Sequence, residues 1–377
     1  MKKMLAMTLA LALLLCGCGA SKAAETQPVT TAPAATQAPT TEATTEPTTE
    51  PTTVPTEPQV YRNPLNGEIL DAPFTGRIFA NTVSNMQENL PHVGVIHADV
   101  LVETFVNKNN IIRCLALFSD ISSVEAIGST RSTRPIFNQL AQHYDLILSH
   151  AGGSEQALND AANRGVENFN IDAWAIASQG TSYRDTEYNR SYENTLFGVG
   201  SGIKAYAESQ GYPMSLERDY GLTFTEDGTP ANGEDAGKIS LTFTYGEAKK
   251  ETIMTYDAQA DKYVYNQYGQ VMTDQITGET EMFTNVLIMN TNITTDGIYF
   301  VADFNAGGTG YYANGGKIIP INWTCAGDKE PFRFPTQDGT PLDLGVGNTY
   351  IGICTPESPV VYEAASPVAA ETQAVEG

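Results

Sequence analysis

Leu146-Ile147-Leu148-Ser149-His150-Ala151-Gly152-Gly153-Ser154-Glu155 reads as a strand, a tight turn and the first turn of a helix. The apolar triplet is short enough for a buried strand. Two consecutive glycines permit a sharp reversal, and residues 153–164 then place apolar side chains at three-to-four spacing. Strand–turn–helix is the repeating unit of an open α/β sheet, so this stretch assigns the surrounding chain to a mixed α/β domain.

The pattern extends outward in both directions. Further strands are expected at 77–81, 100–103, 112–118 and 125–127, and further helices at 133–143 and 201–210. Pro135 suits the first turn of the earlier helix, with Ser132 or Thr133 as its cap, and Ser201 is expected to cap the later one. Beyond Tyr212 the helical period disappears. Segments 238–245, 251–257, 262–267, 285–292, 297–303, 317–323 and 349–354 alternate or run apolar, with turn signals at Asn314-Gly315 and Asp338-Gly339. The fold class is therefore mixed α+β: an N-terminal α/β-type domain over 60–212 followed by a β-rich, antiparallel C-terminal domain over 213–356. The glycine cluster Gly307-Gly308-Thr309-Gly310 lacks a following Gly-Lys-Ser/Thr and is read as hairpin turns, not as a phosphate loop.

The N-terminus reads as a processing signal. Met1-Lys2-Lys3 is a basic start, Met4 to Leu15 is apolar, and Leu15-Cys16-Gly17-Cys18 resembles a lipobox. Residues 1–17 are then a lipoprotein signal peptide, and Cys18 is the lipidation site, diacylated with chains of the palmitate type. Two acyl chains anchor stably where one does not. The alternative is an ordinary secretory signal cut near Ala23 or Ala24. Residues 18–59 are dominated by Thr, Pro, Ala and Glu, a composition that builds no core and favours an extended tether. About forty such residues reach on the order of 120 Å when extended. Residues 357–377 have a similar composition and are expected to be disordered. These features place the folded body on the outer face of the cytoplasmic membrane, on the cell-wall side.

A net charge of −23 argues against nucleic acid as a partner. Cys114 sits in an apolar run and reads as a core residue, while pairing of Cys325 with Cys354 is left open. The four histidines show no His-x-x-x-His spacing and there is no Cys-x-x-Cys, so no metal or other cofactor is expected. His143 and Asp145 read as surface and turn residues.

Chemistry concentrates between Lys108 and Lys204. That interval holds no lysine but six arginines: Arg113, Arg131, Arg134, Arg164, Arg184 and Arg190. A guanidinium offers a planar fork for carboxylate or phosphate, and Arg131, Arg134, Arg184 and Arg190 fall in or beside expected loops. They either receive an anion or pair internally with Asp120, Asp145, Asp185 or Glu187. His150 and Ser154 lie where an α/β sheet places ligands, at the carboxyl end of a strand. The spacing is not that of a Gly-x-Ser-x-Gly elbow, so Ser154 reads first as a helix cap.

Taken together, several of these segments resemble a family, the YerB-like lipoproteins of Gram-positive bacteria, an uncharacterised domain family. The likeness spans Asn63 to about Pro356. It rests on Asn63-Pro64-Leu65-Asn66-Gly67, Ala98-Asp99-Val100-Leu101-Val102-Glu103, Ile127 to Arg134, Tyr144-Asp145 through Ser154, Tyr256-Asp257, Asn285-Val286 and Asn314-Gly315-Gly316-Lys317. Where the family has Pro-His-Asn, this chain has Tyr192-Glu193-Asn194. The resemblance implies a lipoprotein in two parts and no established activity.

Three functional readings follow. The first is an envelope-anchored binding or accessory module with a pocket for an anionic ligand, such as a cell-wall fragment or small carboxylate, built from Arg131, Ser132, Arg134, His150, Ser154, Arg184, Arg190 and Asn194. The second is a wall-modifying hydrolase or transferase using His150 with Glu103 or Asp99. The third is a structural partner in an envelope complex, which calls for an exposed apolar patch.

Overall fold

The computed structural model describes residues 60–365, apart from Asn189. The expected signal peptide, lipidation site Cys18 and tether, and the chain beyond residue 365, lie outside the described residues. Among the described residues no helix is long and apolar enough to cross a membrane.

An eleven-stranded sheet runs through the body. Its order from one edge is Glu234–Asp235, Lys317–Cys325, Gly308–Asn314, Asn285–Asn290, Thr349–Cys354, Val100–Phe105, Ile112–Phe118, Phe79–Ser84, Ile147–His150 and Asn168–Asn170, with Phe332–Arg333 appended to Lys317–Cys325. The N-terminal region is α/β and the C-terminal region β-rich, yet both contribute strands to this one sheet. The seam is the parallel pairing of Thr349–Cys354 with Val100–Phe105. Asn285–Asn290 is also parallel to Thr349–Cys354, so the C-terminal strands are not all antiparallel as their alternation suggested. A long crossover is needed between parallel neighbours, and local patterning carries no sign of it.

Val100–Phe105 and Ile112–Phe118 are buried along their whole length, which is why they read as continuous apolar runs and not as alternating ones. One face, carrying Val100, Val102, Leu115, Leu117, Ala80 and Leu148, packs with Ile136, Phe137 and Leu140 of the helix Pro135–Tyr144. The other face, carrying Leu101, Cys114, Ala116 and Val83, packs with Ile239, Leu241, Phe243, Tyr263 and Tyr265 of a second, six-stranded sheet. The layers are thus helix, sheet, sheet.

Several local expectations need correction. The helix Pro135–Tyr144 does begin on its proline, but its N-cap residue is Arg134, with no side-chain cap from Ser132 or Thr133. Ser201 lies inside the helix Gly200–Ser209, whose N-cap is Val199. His143 is buried against Phe304 and Phe332, not on the surface, while Asp145 does close its helix in the left-handed region. Gly308–Asn314 is a strand, not a turn. At Gly310 an added Cβ would lie 1.9 Å from the Ile288 carbonyl oxygen, so the glycine there serves close approach of backbones. Val360–Glu363, expected to be disordered, forms an edge strand on Lys238–Tyr245. Cys325 and Cys354 are unpaired and buried in different apolar clusters.

Candidate functional site

The strands Phe79–Ser84 and Ile147–His150 run parallel, and their carboxyl ends open onto two loops. The first loop, 128–134, lies along the end of Phe79–Ser84: Val83 bridges Thr130, and the Arg131 amide donates to the Thr82 carbonyl at 2.9 Å. The second loop, 151–154, runs beside the first, with the Thr133 amide donating to the Gly152 carbonyl and the Ala151 amide to that of Arg131. Gly152 sits at φ 69°, where a side chain is disfavoured. Ser154 caps the helix Glu155–Arg164 by accepting from the Ala157 amide.

A third segment, 190–195, closes over the first loop. The Asn194 side chain accepts from Arg131 Nη1 at 2.8 Å, and the Glu193 carbonyl accepts from the same nitrogen at 2.7 Å. Ser129 Oγ donates to the Asn194 carbonyl, and Arg190 donates to Ser129 Oγ, Pro91 O and Gln275 Oε1. Arg184 donates to the Tyr192 carbonyl and to Asp172 at 2.6 Å. The expected residues are therefore gathered around three adjoining loops, but with different roles. Arg184 and Arg190 are spent on internal acceptors, Arg131 is engaged by Asn194 and Glu193 through Nη1, and Arg164 pairs with Asp160 one turn away. Ser132 offers its carbonyl to Arg113.

Arg131, Arg134 and Arg113 form the distinctive feature. Arg113 enters from the strand Ile112–Phe118 and is 2% exposed. Its pairing partners Thr104 and Ser84 put its side chain on the helix-covered face of the sheet, beneath the first loop. Burial lowers its pKa well below the ordinary value, and the neighbouring guanidiniums of Arg134 and Arg131 add to this. Burial also lowers that of Arg134, with Arg131 contributing again. Arg134 donates to the Thr133 carbonyl and lies 5.0 Å over the Tyr299 ring, with its Nε buried and unpartnered. Among the described residues the one carboxylate in ion-pair range of the trio is Glu193, 3.6 Å from Arg131 and itself largely exposed. Arginine cannot escape such crowding by losing its proton, so the cluster holds a net positive potential over a helix start. Arg113 carried a legible signal, a charge inside a strand otherwise buried on both faces, yet it was not among the expected site residues.

His150 and Glu103 are not partners. Glu103 pairs with Cys114, Cys114 with Val83, and Asn81, two residues away, with Ser149. Cross-strand partners share a face and neighbours along a strand alternate, so Ser149 lies on the face of Glu103 and His150 on the opposite one. Three strand spacings, roughly 14 Å, add to the separation. Asp99 is also engaged elsewhere, accepting from Asn66 and from the amide and hydroxyl of Ser119. His150 instead donates from Nε2 to Asn168 Oδ1 at 3.0 Å and is 1% exposed.

Burial lowers the pKa of both His150 and His143. In the unfolded chain both titrate near 6.5, so just below that pH the unfolded state binds the extra protons. Stability is then expected to fall as pH drops from 7.5 to 5.5. Urea midpoints across that range should decline less in His150→Gln than in the native protein. Equal slopes would remove His150 from the account.

Comparison with known proteins places this geometry. Residues 65–213 match the model described as "Protein of unknown function (DUF3048) N-terminal domain", and residues 241–351 match its C-terminal counterpart. The chain is 26% identical over 303 residues to "Putative lipoprotein YerB" of Bacillus subtilis, covering 77% of this chain and 88% of that protein. The crystal structure of YerB from Bacillus subtilis superposes with a TM-score of 0.67 at 23% identity, covering 80% of this chain and 99% of the other, and so shares the fold. The chain belongs to the YerB-like family, built from the N- and C-terminal DUF3048 domains, whose function is unknown.

Proposed function

We propose that this chain is a binding module of the cell envelope, lipid-anchored through Cys18 on the outer face of the cytoplasmic membrane, with a site for an anionic group at Arg113, Arg131 and Arg134. Similarity to a lipoprotein supports the anchor. The observation that supports the site is the charge imbalance: the Arg113 guanidinium reaches the Ser132 carbonyl inside the loop that carries Arg131 and Arg134, and among the described residues the single carboxylate in ion-pair range of the three is exposed. A carboxylate or phosphate seated there would accept bidentate, charge-assisted hydrogen bonds and relieve the mutual repulsion. The N-terminal end of the helix Pro135–Tyr144 carries the positive end of its dipole and favours the same charge.

The test is thermal and urea stability of the full chain in detergent, with inorganic phosphate, pyrophosphate or citrate against chloride at matched ionic strength. An anion at about one hundred times its dissociation constant adds roughly 2.7 kcal/mol. That gain should vanish in Arg131→Ala and Arg134→Ala. Arg184→Ala, which loses its bond to Asp172, should lower stability and still respond to the anion. No response from the native chain would make the arginines internal struts.

A further inference from the structure

Among the described residues three aromatic side chains are exposed, Trp174 at 84%, Tyr192 at 70% and Tyr183 at 43%, and two of them, Tyr192 and Trp174, are joined through neighbouring residues to the loops that carry Arg131. Leaving a tryptophan in water forgoes roughly 2–3 kcal/mol of burial, and nothing in the fold recovers it. Trp174 is nonetheless held on a fixed turn. The Ile176 and Ala177 amides donate to the Ala173 carbonyl, and the Ala173 amide donates to that of Asn170. Asn170 Oδ1 also accepts from the Gly152 and Asp172 amides, which ties this turn to the loop beside Arg131. Tyr192 lies under the Arg184 guanidinium, 4.0 Å from ring centre, and is next in sequence to Glu193, whose carbonyl holds Arg131.

We propose that Trp174, Tyr192 and the arginine cluster form one surface for an acidic oligosaccharide, with the arginines taking its carboxylate or phosphate and the two aromatic rings its sugar faces. The proposal rests on the anion-binding reading above. Charged and polar side chains flank and separate the rings: Asp172 precedes Trp174, Arg184, Asp185 and Glu187 lie between Trp174 and Tyr192 in sequence, and Arg184 covers one ring directly. The core of a protein–protein contact is the reverse, a continuous apolar patch depleted of charge. A sugar ring presents a small apolar C–H face rimmed by hydroxyls. Isolated aromatic rings fit the face, and carboxylate acceptors between them fit the hydroxyls. Anchoring Trp174 and Tyr192 beforehand lowers the ordering cost of binding.

The chain's own fluorescence provides the test. Of its two tryptophans, Trp323 is fully buried, so a ligand-dependent change reports Trp174. The full chain in detergent is titrated with galacturonate, its linear tetramer and a neutral galactose tetramer, and phosphate stabilisation is measured in parallel. The acidic tetramer should shift the emission, shield Trp174 from acrylamide, and bind at least tenfold more tightly than the monomer or the neutral tetramer. Binding to Trp174→Ala, which lacks the reporter, and to Tyr192→Ala is followed by titration calorimetry, and in both that preference over the monomer should disappear. Trp174 is exposed enough for its replacement to spare folding. If phosphate stabilises but tetramer and monomer bind alike, the saccharide proposal fails and the anion site stands. If no anion of any kind binds, both fail.

Discussion

Glu103→Gln is expected to destabilise the protein by about 3–5 kcal/mol, the cost of leaving a buried charge without its partner. Glu103 is fully buried between the two sheets. It accepts from Asn85 at 2.6 Å, Thr252 at 2.9 Å, Tyr265 at 3.0 Å, Tyr350 at 2.6 Å and the Lys250 ammonium. Lys250 is 7% exposed, and burial pulls its pKa down while Glu103 opposes the shift. Burial, with the Glu103 charge adding to it, holds the Tyr265 and Tyr350 hydroxyls protonated, so they donate. The amide of glutamine keeps the shape but removes the charge and turns an N–H group toward these donors. Urea denaturation measures the loss. A paired Glu103→Leu, Lys250→Met variant should recover most of it, because removing both charges also removes the desolvation cost. A loss below about 1 kcal/mol in the single variant would mean that the cluster does not carry its charge in the folded state.

The location of this cluster shows what the sequence can disclose and what it hides. Glu103 lies in a motif that reads plainly as a strand, and its apolar neighbours on both sides place it in a sheet. Its partners Lys250, Tyr265 and Tyr350 are 147, 162 and 247 residues away, and no local period links them. The strands with the strongest patterns, Ile112–Phe118, Lys238–Tyr245, Lys262–Gln267 and Thr349–Cys354, occupy their expected residues. Short edge elements such as Asn168–Asn170, Ser182–Arg184 and Val360–Glu363 were not foreseen, since two to four residues cannot establish alternation. At the candidate site, loop position pointed alike to Arg131, Arg134, Arg184 and Arg190. Which acceptors each of them meets could not be read there, because Asp172, Ser129, Pro91 and Gln275, which engage Arg184 and Arg190, are brought in only by the fold. Trp174 escaped notice for the converse reason: a lone tryptophan is read as core until its exposure is known.

Arg113→Met is expected to change stability in the opposite direction from an ordinary core substitution. A salt bridge removed from an interior usually leaves a stranded charge. Here the stranded charge is native: Arg113 is buried, two neighbouring cations depress it, and its described side-chain bond is to the neutral Ser132 carbonyl. Methionine matches much of the stem and needs no counter-ion. By analogy with apolar replacement of buried ionic groups, the ligand-free protein should gain about 1–4 kcal/mol, less the bond to Ser132. The same change should abolish the response to pyrophosphate, because a third of the positive charge at the site has gone. A variant that is more stable without anion and indifferent to it is the trade expected where function keeps a strained group in place. Urea titrations with and without pyrophosphate measure both effects. Should Arg113→Met instead be destabilised by several kcal/mol and still respond to the anion, Arg113 would be a strut for Ser132. The anion site would then rest on Arg131 and Arg134 alone.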